Sequence, residues 1–141
     1  MTSAEKGQKI IDACLAAQRG GSVVQGVGGV DGMMTWTGMS HGQVWDGLDW
    51  LRDNATQLGS DLIACRRENG TRVYRLGDEA ACREWSMDRM KYVLTAGRRA
   101  EEMMSAVAQV TGRPEDIRAA RQIDRAVTEI DRAISDLLAT I

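Results

Sequence analysis

"DLIACRRENGTRVYRLGD", Asp61–Asp78, decides how the chain is read. Asn69-Gly70 lies between two runs that alternate apolar and polar residues. A two-residue type I′ turn needs φ > 0 at both central positions, and Asn-Gly tolerates that best. The turn pairs Glu68 with Thr71, Arg67 with Arg72, Cys65 with Tyr74 and Ile63 with Leu76. Ile63, Cys65, Tyr74 and Leu76 then share one face suited to a core, and Arg66, Arg67 and Arg72 gather near the tip. Four arginines stand against three acids here, the one short stretch with net positive charge in a chain of net charge −2.

Upstream, "SHGQVWDGLDWLRDN" predicts a helix from Ser40 to Asn54, with Ser40 as N-cap and Val44, Leu48 and Leu51 on one apolar stripe. "TSAEKGQKIIDACLAAQRGG" predicts an earlier helix that Ser3 would cap, with Ile10, Ile11, Cys14 and Leu15 inward and Gly20-Gly21 as its stop. Between them lies "GGSVVQGVGGVDGMM", Gly20–Met34, with six of the fifteen glycines. It lacks a dinucleotide fingerprint: counted from Gly26, the third glycine falls on Asp31. It lacks a P-loop as well, since no lysine occurs between Lys9 and Lys91. The expectation is a flexible connector or tight turn, with short extended pieces at Val23-Val24 and Met34–Trp36.

Downstream, residues 79–110 carry Met90, Val93, Gly97, Ala100, Met104 and Val107 at the alternating three- and four-residue spacing of a helical seam. Gly112 suits the end of that helix and Pro114, the only proline, the first turn of the next. The second helix runs to the C-terminus, with Ile123, Val127, Ile130, Ile134, Leu137 and Ile141 as its seam. An antiparallel hairpin of two such helices would leave Leu94, Met103, Ile117 and Leu138 off the seams. A second copy of the chain is the expected cover, and Met90, Val93, Met104, Val107, Val127, Ile130, Ile134 and Leu137 are the expected dimerisation residues.

Composition narrows the function. The 141 residues suit compact domains, and 43% hydrophobic residues can build a core. Three widely spaced cysteines without a CxxC read as reduced core thiols of a cytoplasmic protein. The polar N-terminus and the lack of a long apolar run predict neither a signal peptide nor a membrane span. His41 is the only histidine, and no Ser/His/Asp, Cys/His or paired-carboxylate constellation stands out. No enzyme, metal site or other cofactor is expected.

The order helix, glycine-rich stretch, serine-capped helix and arginine-tipped hairpin resembles a winged helix-turn-helix DNA-binding domain over residues 1–78. Residues 79–141 resemble the C-terminal dimerisation helices of small bacterial regulators of the PadR type. The implied architecture is mainly α with a small β-hairpin wing, followed by a long antiparallel α-hairpin. The resemblance implies that the helix from Ser40 enters the major groove of double-stranded DNA. His41, Gly42, Gln43 and Asp46 would lie nearest the bases, and Ser40 would hold a phosphate. Arg66, Arg67 and Arg72 would reach phosphates or a narrow minor groove. A homodimer would set two such helices about one DNA turn apart. The implied role is a transcriptional regulator in the cytoplasm of a bacterium or a phage-infected host.

Two departures keep a second reading open. The family's second helix falls on the glycines, which are poor helix formers. The outward face of the Ser40 helix carries Asp46, Asp49 and Asp53, with Trp50 beside them. That acidic face suits a protein partner anchored at Trp50. Trp36, Trp45 and Trp85 are expected in the core, and Met87, Met90 and Met104 along the seams.

Overall fold

A computed structural model of the protein describes residues 1–20, 26–59 and 61–140. The fold is mainly helical, with a small antiparallel sheet and a long C-terminal helical region. In chain order the elements are α1 (Ser3–Arg19), β1 (Val27–Gly28), α2 (Gly29–Thr37), α3 (His41–Asp53), β2 (Ile63–Glu68), β3 (Thr71–Leu76), α4 (Glu79–Thr111) and α5 (Pro114–Thr140). A short 3-10 turn, Ala55–Gln57, follows α3. The chain divides into two compact units, Met1–Trp85 and Ser86–Ile141, and α4 runs through the division.

The first unit is built on the register that the turn sets. Asn69 and Gly70 both have positive φ, at 50° and 80°. The pairs Glu68–Thr71, Arg67–Arg72, Cys65–Tyr74 and Ile63–Leu76 form as expected. Tyr74 and Leu76 are buried, while Ile63 and Cys65 pack on the core from its edge. A third strand was not expected. Val27 and Gly28 pair with Tyr74 and Val73, which gives the sheet order β1-β3-β2.

The glycine-rich stretch corrects the sequence reading. Gly29–Thr37 is a helix, so Met34–Trp36 is helical rather than extended. The expected piece Val23-Val24 lies outside the described residues. Glycine disfavours a helix interior by up to ~1 kcal/mol relative to Ala. Burial outweighs that here, because Met33 is fully enclosed in the core beside Val27, Ile10 and Leu48. Gly38 takes a left-handed conformation, φ 71°, and ends α2.

α1 and α3 cross at two glycines. A Cβ on Gly47 would stand 2.7 Å from Ile10 Cδ1 and 3.0 Å from the Lys6 carbonyl carbon. A Cβ on Gly7 would stand 2.8 Å from Trp50 Cε3. Thr2, not Ser3, caps α1, in a capping box with Glu5. Trp36 is not a core residue; it is 48% exposed.

In the second unit, α4 and α5 form the expected hairpin. Gly112 has φ 60° and Pro114 opens α5. Leu94, Val127 and Ile134 form the core, with Met87, Ile123 and Ile130 against it. Leu94 thus belongs to the contact with α5, whereas Val93, on the sequence-read seam, is exposed. Met103, which the hairpin leaves off its seams, is 68% exposed. The two-residue-wide apolar band on α4 hid the phase of the contact.

Along this hairpin Arg98 pairs with Asp131 at 3.1 Å. Glu101 faces Asp124, and sharing a proton with that second carboxyl favours its protonated form. That hydrogen bond, with desolvation and the Asp124 charge, holds Glu101 above the usual glutamate range. The stabilising contribution of protonated Glu101 is therefore fully present below the unfolded glutamate pKa. It is lost as pH rises through the raised folded value. Glu101→Gln keeps a donor toward Asp124 without the charge. It is expected to raise the thermal midpoint at pH 7, with the gain shrinking to nothing as pH falls below the glutamate range. Circular-dichroism melts at both pH values check this, and a gain that persists in acid would contradict it.

Candidate nucleic-acid interface

The first turn of α3 is a closed capping box. The Ser40 hydroxyl accepts the Gln43 N–H at 3.3 Å, and Gln43 Oε1 accepts the Ser40 N–H at 2.9 Å. Two of the helix's otherwise unpaired donors are thus involved locally, and the geometry of the turn is fixed. His41, at the first helical position, accepts a hydrogen bond from Trp45 Nε1 at 3.2 Å through Nε2. Gly42 is exposed, and nothing lies within 4 Å of where its Cβ would be. Ser40, His41 and Gln43 therefore sit together at the exposed start of α3, as the sequence suggested. The Gln43 carbonyl is engaged in the cap, so its amide NH₂ is the group left to face outward.

The face of α3 read as acidic is not uniformly so. Asp46 accepts hydrogen bonds from Lys6 Nζ at 2.6 Å and from the Ser3 hydroxyl at 3.0 Å. The Lys6 bond first, then the Ser3 bond, hold its carboxyl below the usual range. Trp50 is half-buried against Gly7 and the first unit's core rather than projecting outward. Asp49 and Asp53 remain exposed. Nothing within α3 signals this sorting, because Lys6 and Gly7 are some forty residues away in the chain.

On the hairpin the arginines divide between two faces. Arg67 and Arg72 are paired across the strands, both exposed, on the side that continues from Cys65 and Tyr74. They form no ion pair among the described residues. Arg66 lies on the other face with its guanidinium 3.7 Å from Asp78. Arg75, on that same face, grips Glu68 through both guanidinium nitrogens. The Arg75 bond holds Glu68 below the usual range. The one acid near the tip is thus neutralised by a fourth arginine, and Arg67 and Arg72 keep their charge toward solvent.

Arg52 is the residue that the sequence reading passed over. It stands in the last turn of α3, its guanidinium 5.0 Å above the Trp85 ring, and its charge acts on Tyr74, although burial dominates and pushes that phenol up. The charges of both Arg52 and Arg72 act on Cys65, although burial dominates and pushes that thiol up. Arg52 and Arg72 thus flank the same Cys65–Tyr74 pair. Cys14, deep in the core, is pushed up to about 12 by burial, as an inert structural thiol would be.

Among the described residues, no group of three or more His, Cys, Asp or Glu is placed to hold a metal ion. No described helix is long and apolar enough to cross a membrane. No protein-family model, curated protein or solved structure matches the chain.

Proposed function

We propose that residues 1–85 form a winged-helix unit that binds double-stranded DNA, and that the protein acts as a homodimeric transcriptional regulator in the cytoplasm of a bacterium or phage-infected cell. α3 enters the major groove by its first turn. His41 and the Gln43 amide face the bases, and Ser40 lies at the backbone. Arg67 and Arg72, on the β2–β3 wing, meet the flanking phosphates, with Arg66 behind them. The observation that carries the reading is the topology: α1, β1, α2, α3, β2, β3 with sheet order β1-β3-β2. A wing carrying two exposed arginines, with its nearest acid already neutralised, is the charge that such a topology needs at a polyanion. The engagement of Asp46 by Lys6 reduces the repulsion that the α3 sequence implies.

Fluorescence anisotropy with random-sequence duplex tests the reading. Binding is expected at low salt, with log affinity falling linearly as log salt rises. A flat salt response would remove phosphate contact from the account. A protein-binding role on the same scaffold is favoured by one observation. Trp36, rather than Trp50, is the exposed indole of this unit, beside an open groove lined by Lys9, Asp12 and Ala16. Absence of binding to duplex of any sequence would favour that role.

A further inference from the structure

α4 carries two adjacent apolar stripes. One, through Leu94 and Gly97, meets α5, and a Cβ on Gly97 would stand 3.0 Å from Val127 Cγ2. The other is Val93, Ala96, Ala100, Met103, Val107 and Val110, spaced 3-4-3-4-3 and exposed throughout, with Val110 at 86%. Such a period is the seam of a helix that expects a partner. α5 has a matching exposed row in Ala126, Ala133 and Leu137.

The Arg98–Asp131 bond fixes which side of the hairpin these rows occupy. On each helix the bonded residue is rotated one way from the seam, and the exposed apolar row is rotated the other. Both rows therefore lie on the edge opposite the ion pair and form one continuous apolar face across α4 and α5. The small alanines keep it flat, which suits close approach of another pair of helices.

We propose that this face seats the same face of a second copy of the chain, about a two-fold axis running along the hairpin, so that α4 of each copy packs on α5 of the other. The inference rests on the dimer in the reading above and supplies its contact surface. The exposed fraction of these side chains amounts to roughly 600–800 Å², about what one partner contributes to a standard interface. Charge selects the axis. The outer edge of α4 carries Arg99; that of α5 carries Arg125 and Arg132 as well as Glu129 and Asp136, and the two acids lie on the side of it nearer the apolar row. Among the described residues Glu129 is held otherwise only by an exposed approach to Arg132 at 3.8 Å. An axis along the helices sets Arg99 against Glu129 of the second copy. An axis across them would stack α4 on α4 and Arg99 on its own edge.

Sedimentation equilibrium of the full chain without DNA is the test. Wild type is expected at twice the chain mass at micromolar concentration. Ala100→Glu with Met103→Glu puts charge on the face and leaves the α4–α5 contact intact. It is expected to sediment as a monomer with unchanged helical circular dichroism. Arg99→Glu alone and Glu129→Arg alone are each expected to weaken the dimer about tenfold, and the two together to restore it. A monomeric wild type overturns the dimer. A dimer that survives Ala100→Glu/Met103→Glu overturns this face, and failure of the charge swap overturns the axis. Because mass is read without DNA, each of these failures is separate from failure of the DNA reading.

Discussion

Arg67→Ala/Arg72→Ala is expected to lower affinity for duplex DNA roughly a hundredfold at low salt and to flatten the salt dependence by about 3–4 in slope. The estimate takes one phosphate per arginine and two wings per dimer. These two side chains are singled out because they are exposed, cross-strand neighbours and free of ion pairs among the described residues. Arg66→Ala is the internal comparison. It removes the same charge from the other face, where Asp78 already lies 3.7 Å away, and its effect is expected to be several-fold smaller. Arg67 and Arg72 are exposed and Arg66 is half-buried outside the core, so melting curves should stay near wild type. Equal losses from Arg66→Ala alone and from the double variant would mean that net charge, not the wing's Arg67–Arg72 face, governs binding.

The largest stability effect is expected at Gly47. Leucine there must displace Ile10 and the Lys6 backbone, which a Cβ alone would already approach at 2.7 and 3.0 Å. Overpacking a fixed helix crossing costs typically 1–3 kcal/mol or more. For a unit of this size that is a fall in melting temperature of roughly 10 °C or beyond. Gly42 lies on the same helix with open space around it. Gly42→Ala is expected to have the opposite sign, a gain of up to ~1 kcal/mol from helix propensity alone. Thermal melts of the two variants side by side check the α1–α3 crossing. A Gly47→Leu protein as stable as wild type would mean that the two helices do not approach as described.

The legible parts of the fold were those set by local chemistry. Asn69-Gly70 dictated the hairpin register, and Gly112 with Pro114 placed the break between α4 and α5. Ser40 marked the start of α3. Where non-local packing decides, the sequence misled. β1 is two residues long and exists because Tyr74 and Val73 pair with it. α2 forms despite its glycines because Met33 is buried. Trp50 reads as an exposed anchor until Gly7 is placed beneath it, and Trp36 reads as core until α2 turns it outward. On α4, Val93 and Leu94 are equally apolar neighbours, and periodicity alone could not say which one faces α5. Of the candidate site, the first turn of α3 and the wing arginines were legible as positions. The engagement of Asp46 by Lys6, of Glu68 by Arg75 and of Arg66 by Asp78 was not, and these pairs decide where charge remains.

As proposed above, α3 and the wing read DNA from a two-fold dimer. Selection from a pool of random-sequence duplexes, using the full chain and sequencing what is retained, tests it most directly. Enrichment of an inverted repeat is expected, with half-sites one helical turn, ~10 base pairs, apart. A retained pool indistinguishable from the input would contradict it.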